Sequence, residues 1–125
     1  MLIDTDVLVW MTRGHAGAAA RLQALTPWRI SAVTYMELAQ GCRDKQELAR
    51  VKKGLALSQT EILPLDAAIT ERAMQLVDAY ALSHEMQLGD ALIAATALEH
   101  GATVLTSNAK HFAAVEGLTV EVFVP

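Results

Sequence analysis

"MLIDTDVLVW", residues 1–10, decides how the chain is read, because two carboxylates, Asp4 and Asp6, interrupt a run of Leu2, Ile3, Val7, Leu8, Val9 and Trp10. An ionised carboxylate among such side chains is costly to bury unless it is paired or bound to a metal. The two aspartates therefore either mark the end of a strand or belong to a site. Reading "MLIDT" as a short buried strand puts both at its carboxyl end.

Working outward, short apolar runs alternate with helical patterns. "GHAGAAARLQAL" reads as an Ala-rich helix, "WRISAV" as a strand, "TYMELAQGC" as a short helix closed near Gly41, and "RDKQELARVKKGL" as an exposed helix. "EILPL" is a third strand. From Asp66, a good N-cap, Ile69, Ala73, Leu76, Val77 and Tyr80 recur at the spacing of one buried helix face. "LGDALIAATALEHG" is a second strong helix ending at Gly101; "TVLTS", a short "NAKHFAAV" helix and "LTVEVFV" complete the chain. The alternation predicts an α/β fold: a single domain over residues 1–125, with a mostly parallel sheet of about five strands flanked by helices.

Composition fits that reading. The 125 residues leave no room for a second domain, and 53% apolar against 19% charged residues argues for a well-covered core. Cys42 is the only cysteine, which excludes an intramolecular disulfide and a cysteine-rich zinc site. The N-terminus carries acids where a signal peptide carries Lys or Arg, and no apolar run spans a bilayer, so a soluble cytoplasmic protein without membrane contact is expected. Ten Lys and Arg against fourteen Asp and Glu give a net charge of −4, so a polyanionic substrate would need a local basic patch or bound cations.

In an open α/β sheet, ligands bind beyond the carboxyl ends of the strands. Asp4 and Asp6 lie there after the first strand, Glu37 in the first turn of the helix after the second, Asp90 at the start of the most apolar helix, and Thr106, Ser107 and Asn108 after the fourth strand. Oxygen-rich, sulfur-free donors suit hard divalent cations such as Mg²⁺ or Mn²⁺, which activate a water and stabilise the phosphate in an in-line hydrolysis. Each acid also has a structural reading. Thr34-x-x-Glu37 has the form of a capping box, and Asp90 is a carboxylate favoured by a helix dipole. Their joint placement carries the functional inference.

"LIDTDVLV", "SAVTYMELAQG", "LGDALIAATAL" and "VLTSNAKHF", in this order across the whole chain, resemble the PIN-domain ribonucleases, above all the VapC toxins of bacterial toxin–antitoxin pairs. The resemblance implies a metal-dependent endoribonuclease in which Asp4, Glu37 and Asp90 are the acidic metal-binding core and Asp6 and Thr106 support it. It further implies Mg²⁺ or Mn²⁺ as cofactor, tRNA or rRNA as target, a homodimer, and inhibition by a small antitoxin. Many relatives carry an acid where this chain has Asn108 and another where it has His111. Asn108 ligates through a carbonyl without adding charge, so one held ion is expected rather than two. His111, beside Phe112, reads as a partly exposed packing residue.

Arg43, Lys45, Arg50, Lys52 and Lys53 surround Asp44 and Glu47, and Arg43 with Glu47 has the spacing of a surface pair. The cluster is either a solvated helix face or a guide for an RNA backbone. Three rivals to the ribonuclease reading stand at this point. "DTDVL" approaches the opening of haloacid-dehalogenase phosphatases, although Thr106 follows Asp90 where that family has the reverse order. A receiver-like signalling module would need a phospho-acceptor on the middle strand, where Asp66 is a helix cap instead. The third is a non-catalytic binding module of PIN shape.

Overall fold

Every strand pairing is parallel, and successive strands are joined through helices or a short turn. The computed structural model describes residues 1–125. β1 (Leu2–Ile3) leads into α1 (Thr5–Thr12) and α2 (Ala16–Gln23), and β2 (Arg29–Ser31) into α3 (Ala32–Gln40) and α4 (Lys45–Leu57). β3 (Glu61–Leu63) precedes α5 (Ala67–His84) and α6 (Leu88–His100); then come β4 (Val104–Thr106), a 3₁₀ turn over Ala109–His111, and β5 (Val120–Val122).

β4 lies between β1 and β5, with Leu2 opposite Val104 and Leu105 opposite Glu121, while β2 pairs with β3. The five expected strands are present, but as a three-stranded and a two-stranded ladder; β1 packs beside β2 without continuing the ladder. The spatial order is β3, β2, β1, β4, β5. The chain builds outward on one side of β1 and then crosses to the other. Such a reversal opens a crevice at the carboxyl ends of the two central strands.

Alternation along the strands feeds two cores. Leu2 and Val104 face one, with Ile69 and Leu76 of α5 and Ala91 and Ala94 of α6. Ile3 and Leu105 face the other, with Val7 and Leu8 of α1, Leu22 of α2 and Phe123. α6 is enclosed by the sheet on one side and by α5 and α3 on others, which accounts for its nearly uniform apolar composition. The expected punctuation holds: the Asp66 carboxylate accepts from Ile69 N at 2.9 Å, and Gly101 closes α6 at φ 59°. No helix is long and apolar enough to cross a membrane.

Three local expectations need correction. Residues 5–12 form a helix that the apolar run did not announce. α3 begins at Ala32, two residues before Thr34, because the Ser31 hydroxyl caps it by accepting from Val33 N at 3.2 Å. The Thr34-x-x-Glu37 capping box is consequently not formed, and Glu37 stands in the second turn. Finally, the "NAKHFAAV" helix is only the 3₁₀ turn at Ala109–His111.

Candidate active site

Asp4 is where strand and helix meet. Its carboxylate caps α1 by accepting from Thr5 N at 2.8 Å, and its other oxygen accepts from Thr106 Oγ1 at 2.8 Å. Thr106 is fully buried at the end of β4, and Asp4 is only 6% exposed. Burial, then the negative charge of Asp6, push the Asp4 carboxyl up to about 8 from its ordinary value of 3.8. Two hydrogen bonds do not offset the loss of water.

Asp6 sits in the first turn of α1 and is anchored by the segment after β4. Its Oδ2 accepts from Ser107 N at 3.1 Å and from Ser107 Oγ at 2.6 Å. Thr106 Oγ1 lies 3.3 Å from the same oxygen. That hydroxyl has one proton, and the shorter contact gives it to Asp4. Asp6 Oδ1 is buried without any hydrogen-bond partner.

Glu37 reaches the same place from α3. Thr5 Oγ1 donates to Glu37 Oε1 at 2.7 Å, and the buried Thr34 hydroxyl lies 3.1 Å from that of Thr5. Glu37 Oε2 rests against Gly89 so closely that a Cβ there would stand 2.8 Å from it. The absence of a side chain at Gly89 lets α6 approach Glu37. One residue on, Asp90 Oδ2 accepts from Gln87 N at 3.3 Å and faces His111 Nδ1 at 3.5 Å. Burial raises the Asp90 carboxyl, and a charge on His111 opposes that rise. Asp90 is thus both the helix-start carboxylate and a wall of the site.

Asn108 follows β4; its N–H donates to Thr106 Oγ1 at 2.9 Å, and its Nδ2 lies 3.2 Å from His111 Nε2. With the amide nitrogen turned to His111, Asn108 Oδ1 has no hydrogen-bond partner within the protein.

Asp4, Asp6, Glu37, Asp90 and Asn108 line one open pocket of about 380 Å³ with Thr5, Val9, Trp10, Arg13, Ile93 and His111. Thr106 supports it from beneath through Asp4. Of the basic cluster, Arg43 and Arg50 line a neighbouring groove that shares Val9, Arg13 and Glu37 with the pocket, whereas Lys45, Lys52 and Lys53 lie on the exposed face of α4 and line neither. Arg43 is engaged by Glu47 at 2.6 Å. Sequence reasoning missed Thr5, Arg13 and Trp10 as wall residues and took His111 for packing. Had α1 been recognised from its Asp4 cap, the i, i+3, i+4, i+7 spacing of Asp6, Val9, Trp10 and Arg13 would have marked one helix face.

The donor set fits a hard divalent cation. Four carboxylates and an amide converge, one buried carboxylate oxygen lacks any partner, and Asp4 and Asp90 are both costly to ionise without a counter-charge. The carboxylates do not close into a ready-made cage of three ligands.

The sequence matches the family described as PIN domain over residues 1–118. No curated protein matches it. Among solved structures the chain is similar to a toxin–antitoxin complex from Klebsiella pneumoniae, at 29% identity and TM-score 0.78 over 94% of each chain. It is similar to VapBC2 from Rickettsia felis bound to a DNA fragment from their promoter, at 25% identity and TM-score 0.79 over 98% of this chain and 97% of that one. DNA-bound VapBC from Salmonella typhimurium shares the fold, at 23% identity and TM-score 0.81, covering 97% and 96%.

Proposed function

The chain belongs to the PIN-domain family, and we propose that it is the nuclease toxin of a toxin–antitoxin pair, hydrolysing RNA phosphodiester bonds with the help of Mg²⁺ or Mn²⁺. The observation that carries this reading is the convergence of Asp4, Asp6, Glu37 and Asp90, from three separate segments, in one solvent-open pocket at the topological switch of the sheet. Family membership sets aside the phosphatase and receiver readings. Similarity to structures of toxin–antitoxin complexes supports an antitoxin partner.

Asp4, Glu37 and Asp90 would hold the cation, with Asn108 Oδ1 as a neutral assistant. When bound, the cation supplies an activated water and offsets charge on the pentavalent phosphate. The chain's own residues supply the order. Thr106 Oγ1 and Thr5 N fix the Asp4 carboxylate, and Thr5 Oγ1 aims Glu37. Gln87 N anchors Asp90, and Ser107 holds Asp6 beside it all. A structured RNA such as tRNA or rRNA is the expected target, and a homodimer the expected assembly, both on family likeness. Arg50 and, on release from Glu47, Arg43 would meet a phosphate backbone from the adjoining groove that they line; Lys45, Lys52 and Lys53 would act only through their longer-range field.

The test compares wild type with Asp4→Ala and Asp90→Ala in a purified RNA-cleavage assay with Mn²⁺ and with EDTA. Cleavage by wild type alone, abolished by EDTA, is expected. Cleavage that persists in EDTA, or in both variants, overturns the mechanism.

A further inference from the structure

α1 presents four residues to the pocket at helical spacing: Asp6, Val9, Trp10 and Arg13. Over the roughly 10 Å that seven residues of helix span, this face passes from an acid to an aliphatic side chain, an indole and a guanidinium. The charged and aromatic ends of the last two reach beyond their structural roles, the Arg13 backbone closing α1 and the Trp10 ring packing on His15. Trp10 is 37% exposed, where the other tryptophan, Trp28, is 5% exposed and donates its indole N–H to Leu22 O at 2.8 Å. Arg13 is exposed, caps the carboxyl end of α1 and has no ion-pair partner; Arg21, Arg29, Arg43 and Arg72 are each paired with a glutamate, and Arg50, also unpaired, lies in the neighbouring groove and not in the acidic pocket. An unpaired cation on the rim of a pocket with four carboxylates is already attracted there.

The indole is also held still. Gly14, at φ 86°, turns the chain back after α1, so that His15 meets Trp10 edge-on at 5.4 Å between ring centroids. His15 is itself pinned, because its Nδ1 caps α2 by accepting from Ala18 N at 3.0 Å and its ring meets Phe123 at 5.7 Å. A rigid, half-exposed aromatic next to an unpaired guanidinium is what single-stranded nucleic acid recognition uses. Bases stack on the ring and the phosphate meets the cation.

Resting on the ribonuclease reading above, we propose that Trp10 and Arg13 form a nucleotide subsite flanking the acidic centre: an unpaired RNA base stacks on Trp10, and an adjacent phosphate pairs with Arg13. The subsite selects RNA with an unstacked nucleotide next to the scissile bond, and so favours loops and single strands over duplex. It orients the strand so that the phosphate reaches the carboxylates from the α1 side.

The test uses an Asp90→Asn background to prevent turnover and fluorescence anisotropy with short single-stranded RNA, in Mn²⁺, against an abasic ribose-phosphate chain of the same length. Trp10→Ala should weaken binding of RNA about five- to hundredfold and of the abasic chain hardly at all; Trp10→Phe should retain most affinity. Arg13→Ala should weaken both and lower the salt slope by about 0.7. Where Trp10→Ala proves unstable, indole quenching in the unsubstituted background decides, since RNA should quench it and the abasic chain should not. Equal effects of Trp10→Ala on both chains, an unchanged salt slope in Arg13→Ala, or loss of a co-expressed antitoxin with RNA affinity intact would overturn the subsite. If wild type cleaves RNA and the Trp10 variants bind as before, the subsite alone fails. Wild type that neither binds nor cleaves RNA removes the ribonuclease reading with it.

Discussion

Asp4→Asn should make the cation-free protein more stable at alkaline pH, although it removes a central residue of the site. The Asp4 carboxyl is 6% exposed and is pushed up to about 8, first by burial and then by Asp6. In the unfolded chain it titrates near 3.8. Between those values the native state keeps a proton that the unfolded state has released, so cation-free stability is fully present below about 4 and falls as pH rises toward 8. At about 1.4 kcal/mol per pH unit, the window amounts to about 6 kcal/mol. An amide carries no charge and escapes this loss. It keeps an acceptor for Thr5 N, while Thr106 must turn its proton toward Asp6 and accept from the new amide instead. That rearrangement costs on the order of 1 kcal/mol. Urea unfolding in EDTA at acid, neutral and alkaline pH should therefore show wild type losing stability with pH, Asp4→Asn losing much less, and the two curves crossing. The causes that raise Asp90 do not include Asp4, so its contribution should be common to both proteins and the difference between the curves reports Asp4 with its coupling to Asp6. Saturating Mn²⁺ should stabilise wild type, by about 2.7 kcal/mol at a hundredfold excess over Kd, and the variant far less. Wild-type stability that is flat or rising over this window, or a variant less stable than wild type at alkaline pH in EDTA, would refute the reasoning.

Gly89→Ala places a methyl 2.8 Å from Glu37 Oε2, the far end of a flexible side chain. The melting temperature should hold or rise, since Ala favours a helix by up to about 1 kcal/mol, while RNA cleavage falls at least tenfold; a fully active variant would show that Glu37 need not stay where it is. Thr106→Val keeps the shape of a fully buried residue but removes the hydroxyl that serves Asp4 and the N–H of Asn108. Denaturation should show a loss of about 2–3 kcal/mol, the expected cost of leaving a buried polar group unsatisfied, and a change near zero would mean water replaces the hydroxyl.

The sequence disclosed the layout of the site better than its walls. Asp4, Glu37, Asp90 and Asn108 were legible because strand–helix alternation sends every strand end to one edge, so positions could be assigned without knowing any side-chain direction. Residues 5–12 were not legible as a helix, since Val7, Leu8, Val9 and Trp10 blur the helical period and favour a strand by composition. Tertiary context and the Asp4 cap overrode that preference, and with the helix went the view of Trp10 and Arg13. The Thr34-x-x-Glu37 pattern misled for a related reason: Ser31 is an equally good cap three residues earlier, and only packing chooses between them. His111 gave no spacing signal, because its partners Asn108 and Asp90 come together through the turn after β4.

The bond between Thr106 and Asp4 joins residues 102 positions apart. Until β4 has left the ribosome and slotted beside β1, no nascent chain has a fixed Asp4, an anchored Asp6 or a place for Asn108. Long-range pairing of this kind also forms late and slowly in folding. On the ribonuclease reading, cleavage waits on the pairing of β4 with β1, and chains that lack β4 have no assembled site.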